Sequence, residues 1–349
     1  MKKNVLVTAV GGRSVGSGIL HALIRANNAE ARPRWNVIAT DADPFSWGLY
    51  IADCAHLLPL ASSPDYLSSL LKLIEAENID AIIPGSEAEV MRLSAASIDF
   101  PIPIICNRSE LMPLMNDKFK MTRKIQELNL PYIETFPINE WETALQLYDF
   151  PFIIKPTTGT GGSKDVHIVF SRTEIKGLVS SLPPSGKFCI QHYIGSDEDE
   201  YTVGVLSDHN GQIIDSIVMH RKLHGLSLLT SRQYQGRNYS VSTGYSQGFF
   251  RRMPEIQKFC EELAVSIGSV GPLNIQLRTE GSKIYVFEIH PRFSGTSPIR
   301  AELGFNEADI LLRNRLFGES FGRLAYRTDC AAIRAFEHVI VPISDMVQR

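Results

Sequence analysis

No run of apolar residues in this 349-residue chain is long enough to span a bilayer, and the short run Val5 to Val10 stops at Gly11, well before the length of a secretory leader. Basic charge is not in surplus either: 35 lysines and arginines face 38 aspartates and glutamates, a formal net charge of −3. That balance excludes DNA, RNA or an anionic membrane surface as the expected partner, and a small anionic ligand would need locally placed cations. Cysteine is sparse. Cys54, Cys106, Cys189, Cys260 and Cys330 stand singly, without the paired spacing of a zinc site or the density of a disulfide scaffold, so they read as reduced and mostly buried. No fixed-period repeat or low-complexity tract is seen, and no Ser-His-Asp or Cys-His set is evident from the sequence. A cytoplasmic protein is expected.

With 44% hydrophobic residues the chain can bury a substantial core, and its length suits two or three units. Short β-branched runs at 5–9, 37–40, 81–84 and 102–106 alternate with helical stretches such as 68–77, which predicts a parallel α/β unit over 1–113. A helical segment at 117–129 and strands near 150–155 and 166–170 predict a smaller α+β unit over 114–187. Strands at 187–194, 201–206, 212–219, 272–278 and 283–290, with an amphipathic helix at 254–267, predict a largely antiparallel sheet over 188–349. The stretch 221–246 reads as a long polar loop.

Gly11, Gly12, Gly16 and Gly18 follow the first strand, but their spacing is not the dinucleotide fingerprint, and Ser17 stands where a Walker lysine would follow Gly16. A tight first turn of an α/β unit is the favoured reading; Ser14, Asp41 and Glu87 are candidates for substrate binding at this sheet edge. Further on, the apolar strand 152–154 ends in Lys155 and continues Pro-Thr-Thr-Gly159-Thr-Gly161-Gly162-Ser163-Lys164. A lysine at an apolar strand end needs an anion or a route to water, and glycines with hydroxyl neighbours allow backbone N–H groups to approach phosphate. A surface lysine ahead of an ordinary turn is the competing reading.

The strands flanking Glu280-Gly281-Ser282 carry the sharper signal. Ile275, Leu277, Tyr285, Phe287 and Ile289 all occupy odd positions, so one shared apolar face requires paired positions to sum to an even number, near 564. Gln276 then lies opposite Glu288, with His290 two residues along, all on the face away from the core. Carboxylate and amide oxygens suit Mg²⁺, which completes its shell with water and phosphate. Arg292 follows beyond Pro291, placed to hold a phosphoryl or acyl-phosphate oxygen.

In order along the chain, Phe-Ile-Ile-Lys155-Pro with its glycine loop, Gln191-His-Tyr-Ile, Glu200-Tyr-Thr-Val, Gln276 and Phe-Glu288-Ile-His290-Pro-Arg292 resemble the ATP-grasp superfamily. The likeness is greatest to its carbamoyl-phosphate-synthase-like, carboxylate-amine ligase branch. The resemblance implies an ATP-grasp fold behind an N-terminal Rossmann-like pre-ATP-grasp domain. It implies that Lys118 and Lys155 contact ATP phosphates, that Gly159, Gly161, Gly162 and Ser163 close over them, and that Gln191, His192, Tyr193 and Ile194 flank adenine. Glu200 would hold ribose, and Gln276, Glu288 and His290 the metal ions. Gln191 replaces a customary acid and His290 a customary asparagine; the imidazole admits Mn²⁺ beside Mg²⁺. The implied reaction is ATP-driven joining of a small-molecule carboxylate to an amine through an acyl phosphate, with Arg292, Arg221 and Arg300 as candidate catalytic residues. The expected partners are those substrates and a second copy of the chain in a homodimer. The alternatives are phosphorylation of bicarbonate, a kinase on the same fold, and a catalytically silent nucleotide-binding protein.

Overall fold

Four parallel strands open the chain in the computed structural model, which describes residues 2–12, 14–96, 100–158, 163–183 and 187–347. β1 (Lys3–Thr8), β2 (Trp35–Asp41), β3 (Cys54–Leu57) and β4 (Ala81–Ile83) are ordered β3-β2-β1-β4. Val5, Leu6 and Val7 are consecutive and all fully buried, as expected for a parallel strand covered on both faces. The expected strand at 102–106 contributes only the bridge Ile82↔Ile104, while β3, too short and mixed to register in the sequence, takes the edge.

Helix Val15–Ala29 starts at Ser14, whose Oγ accepts a hydrogen bond from Ser17 N, and buries Ile19, Leu20 and Leu23. The glycines here serve packing: a Cβ on Gly16 would stand 2.3 Å from the Ala9 carbonyl oxygen, and one on Gly85 would stand 2.0 Å from that of Thr8. Asp41 holds the same turn by accepting from Gly11 N at 3.0 Å.

A second, antiparallel sheet contains β5 (Thr135–Pro137), β6 (Phe152–Pro156), β7 (His167–Val169) and β8 (Phe188–His192) in the order β5-β8-β6-β7. The expected boundary near 187 therefore falls just before a strand that belongs to this sheet. Phe136, Phe152, Ile154 and Ile190 pack beneath helices Trp141–Leu147 and Arg172–Ser181.

The third sheet comprises β9 (Glu200–Ser207), β10 (Ile213–Arg221), β13 (Gly248–Phe250), β14 (Pro272–Glu280), β15 (Lys283–His290) and β16 (Cys330–Ala332), in the order β15-β14-β9-β10-β13-β16. Helix Pro254–Ser266 covers one face through Ile256, Cys260 and Leu263. The stretch expected to be a loop folds as a separate hairpin, β11 (Leu228–Tyr234) and β12 (Arg237–Ser242). Its turn places Gln235 and Gly236 at φ of 47° and 77°, the pair of left-handed residues that a two-residue hairpin turn uses.

In the β14–β15 hairpin Asn274 faces His290 and Gln276 faces Glu288, the register that the alternation requires. Beyond that point the pairing slips by one, to Leu277↔Val286. The bulge puts Val286 in the core in place of Phe287, whose ring turns to the opposite face, against the expectation from odd-position alternation. Among the described residues no helix is long and apolar enough to cross a membrane.

Candidate active site

The three sheets meet around one cleft of about 1190 Å³. Lys155 enters it from the end of β6 and Lys118 from the first turn of helix Lys118–Glu127, which Asp117 caps by accepting from Phe119 N and Lys120 N. Lys118 N also donates to the Thr157 carbonyl at 2.9 Å, so the two lysine-bearing segments are fastened together. Burial, reinforced by the charge of Lys118, pulls the Lys155 ammonium down to about 8. Facing them from β15, Glu288 has one oxygen 3.9 Å from Lys118 Nζ; the other is 3.2 Å from His290 Nε2 and accepts from Gln276 Nε2 at 3.0 Å. Burial pushes the Glu288 carboxyl up, but His290 and the two lysines outweigh it and hold the group well below the usual carboxylate range. Two ammonium groups against one ionised carboxylate leave local positive charge, which suits a phosphate chain.

Glu288 and His290 bring an oxygen and a nitrogen donor to one point, a pair that fits a divalent cation whose other positions go to water and phosphate oxygens. Gln276 fits less directly. Its oxygen accepts from Arg221 Nη1 at 3.3 Å while its nitrogen faces Glu288, so the amide must turn before its oxygen reaches the same point.

Two of the arginines expected to be catalytic are otherwise engaged. Arg221 donates to Glu200 Oε1 at 2.8 Å, to Ser242 Oγ at 3.0 Å and to the Thr243 carbonyl at 2.9 Å. Arg278 completes the cluster from β14, donating to Glu200 Oε2 at 2.7 and 3.1 Å. Both oxygens of Glu200, which lines the cleft, thus accept from arginines; burial raises its pKa, and the two guanidinium groups outweigh that and hold the carboxyl below its usual range. Arg300 is buried between Glu307 Oε1, at 2.9 Å, and Asn274 Oδ1, at 2.8 Å, and does not line the cleft. Both arginines are thus paired with internal carboxylates; Arg221 lines the cleft and Arg300 does not.

The segment from Gln191 to Ile194 does line the cleft. Gln191 Nε2 donates to Thr135 Oγ1 at 2.6 Å, and His192 stacks on Tyr148 with ring centroids 5.3 Å apart; burial lowers its pKa. Tyr193 Oη donates to the Ser240 carbonyl at 2.9 Å and accepts from Ser240 N at 3.0 Å, while the Arg278 guanidinium lies 4.0 Å above its ring. Ser163 also lines the cleft; Gly159, Gly161 and Gly162 lie outside the described residues.

Toward the N-terminal unit the cleft becomes unsaturated. Arg292 Nη2 is 3.6 Å from Glu87, and Arg292 Nε is buried without a partner among the described residues, as are Trp47 Nε1 and Tyr245 Oη. Arg334, which the sequence reading missed, enters from the segment after β16 and donates to the carbonyl oxygens of Ser246, at 2.8 Å, and Gly295. Burial lowers its pKa, and no carboxylate pairs with it among the described residues. Nothing in the pattern around Ala331 to Ala335 singles this arginine out; its role is legible only from where the chain returns. Asp41, tied to Gly11, does not face the cleft, whereas Ser14 and Glu87 do.

Residues 5–105 match the family model described as PylC-like, N-terminal domain, and residues 115–296 match that of the ATP-grasp domain. The carbamoyl phosphate synthase large chain of Clostridium acetobutylicum is 23% identical over 289 residues, 80% of this chain and 26% of that protein. The arginine-specific large chain of Geobacillus stearothermophilus is 22% identical over 308 residues, 85% of this chain and 28% of that protein. The chain thus spans about a quarter of the length of these curated relatives. Among solved structures, N5-carboxyaminoimidazole synthetase from Staphylococcus aureus complexed with ADP superposes with a TM-score of 0.67 at 13% identity, covering 93% of this chain and 81% of that one. L-amino acid ligase from Bacillus licheniformis gives a TM-score of 0.63 at 14% identity, with 90% and 74% covered. At these identities the superpositions speak to the fold.

Proposed function

Because the chain belongs to the ATP-grasp family, we propose that it is an ATP-dependent ligase that phosphorylates a small-molecule carboxylate and passes the acyl group to an amine. The carboxylate oxygen attacks the γ-phosphorus and ADP leaves; the amine then attacks the acyl carbon and inorganic phosphate leaves. The observation that carries this reading is the convergence of Lys118, Lys155 and the ionised Glu288 on one cleft. Such a set neutralises a phosphate chain and supports in-line transfer without an enzyme nucleophile.

Lys118 and Lys155 hold the phosphates, and the segment from Gln191 to Ile194 borders adenine. Glu288 and His290 hold Mg²⁺, or Mn²⁺ as the imidazole permits, and Gln276 joins them after its amide turns. The ion neutralises phosphate charge when bound. The acid lies at the unsaturated end of the cleft, its carboxylate between Arg292 and Arg334, with Tyr245 and Trp47 supplying further donors. Arg292 is the group placed to stabilise charge on the acyl phosphate.

The similarity to carbamoyl phosphate synthases supports a second reading, in which bicarbonate is the acceptor. The volume of the cleft and the two arginines at its end toward the N-terminal unit, Arg292 and Arg334, favour a larger acid. Hydroxylamine distinguishes these readings from each other and from a kinase: it displaces phosphate from an acyl phosphate to give a hydroxamate. An acid that promotes ADP release and yields its hydroxamate supports the ligase. ADP release with bicarbonate alone supports the second reading, and a stable phosphate ester overturns both.

A further inference from the structure

At the free edge of the parallel sheet, away from the cleft, a thiol, an imidazole and a carboxylate converge. Cys54 and His56 are two residues apart on β3 and share a face; Glu77 ends helix Tyr66–Ala76 above them. His56 Nε2 lies 2.9 Å from Glu77 Oε1 and 3.4 Å from Cys54 Sγ, and the three atoms are all within 4.8 Å of one another. A relay from thiol to carboxylate needs the imidazole to use its two nitrogens in opposite directions. Here a single nitrogen faces both partners, so the arrangement is not that of a nucleophile and its base. Three ligand atoms of these types within 4.8 Å of one another can share one cation.

We propose that Cys54, His56 and Glu77 bind one Zn²⁺, with water in the fourth position. Tetrahedral zinc with bonds of about 2.3 Å to sulfur and about 2.0 Å to nitrogen and oxygen sets S···N at roughly 3.5 Å and N···O at roughly 3.3 Å. The observed 3.4 and 2.9 Å approach those values, so these two pairs need adjustments of only tenths of an ångström, and the sulfur and the carboxylate oxygen lie within 4.8 Å of each other. The side chains of His56 and Glu77 are 35% and 31% exposed, which leaves room for water and for the ion to arrive. A thiolate and an imidazole select zinc over the harder ions suited to an oxygen-lined site. None of the three residues lines the cleft. The ion would therefore clamp β3, which has no outer neighbour, to the end of the helix. The single-cysteine spacing hid this set because its ligands come from a strand and from a helix end 21 residues later.

Cobalt(II) titration of the full chain after stripping with chelator tests the proposal. A thiolate-to-cobalt charge-transfer band should saturate at a single equivalent, disappear in Cys54→Ser and persist in His290→Ala, which separates it from the cleft. Glu77→Gln should weaken cobalt binding by about tenfold or more. Zinc should raise the Tm of the wild-type chain and not that of Cys54→Ser. A wild-type chain without the band, a band that survives Cys54→Ser, or a zinc shift equal in both proteins overturns the site.

Discussion

Two groups of buried charge lie within one cleft wall and behave in opposite ways. Around Glu200 the charges are paired: Arg221 and Arg278 take both carboxylate oxygens and donate further to Ser242, Thr243, Ser240 and Ile194, although Arg221 Nε is left without a partner among the described residues. Around Glu288 and Arg292 the pairing is looser, with Glu87 3.6 Å from Arg292 and Lys118 3.9 Å from Glu288. Lys155 has no carboxylate within ion-pair distance among the described residues, Lys118 only a distant one, and Arg334 only backbone carbonyls. A closed cluster fixes strands β9, β10 and β14 against one another, whereas an open one costs desolvation that a ligand can offset. Conspicuous arginines are therefore poor guides to chemistry until their partners are known.

The largest effect should come from opening the closed cluster. Glu200→Ala leaves two arginines buried without their carboxylate and should lower the unfolding free energy by about 3–5 kcal/mol in denaturant titration. A stable Glu200→Ala chain that no longer binds ATP would instead return Glu200 to the nucleotide site and erase the contrast. Glu288→Gln should do the reverse, lowering kcat for acid-dependent ADP release by about 10²- to 10³-fold with little change in Tm. Arg334→Met should raise KM for the acid by about 10- to 100-fold while moving KM for ATP far less. Equal changes in both would place Arg334 with the closed group.

A smaller, pH-dependent effect sharpens the same distinction. Lys155 is charged below about 8 and loses its proton above it, so kcat/KM for ATP should fall as pH rises through that value, about tenfold per unit. Lys155→Arg, whose guanidinium stays charged, should lack that limb. Its persistence in the variant would assign the titration to another group.

Much of this site could be read from the sequence because it rests on strict periodicity. The even-sum rule placed Gln276 opposite Glu288 and aligned His290 with them. The same rule failed at Phe287 because Val286 and Phe287 are both apolar, and alternation between two hydrophobic residues carries no information about which one faces the core. The β11–β12 hairpin escaped notice because Gln235-Gly236 is a weaker turn signal than Asn-Gly or Asp-Gly, and its strands are largely polar. Arg221, Arg300 and Arg334 could not be ranked, since Glu200, Glu307 and the backbone of Ser246 and Gly295 are remote from at least one of them in sequence. Partnering is a tertiary fact.

The segment that brings Arg334 back to the cleft lies outside both matched regions, the second of which ends at residue 296, and touches the N-terminal unit through Glu337 and His21, 3.4 Å apart. The lysines proposed to hold phosphate and the arginine proposed to hold the acid are thus carried by separate stretches of chain. If Arg334 holds the acid as proposed, the stretch after β16 tunes substrate choice separately from the matched ATP-grasp region.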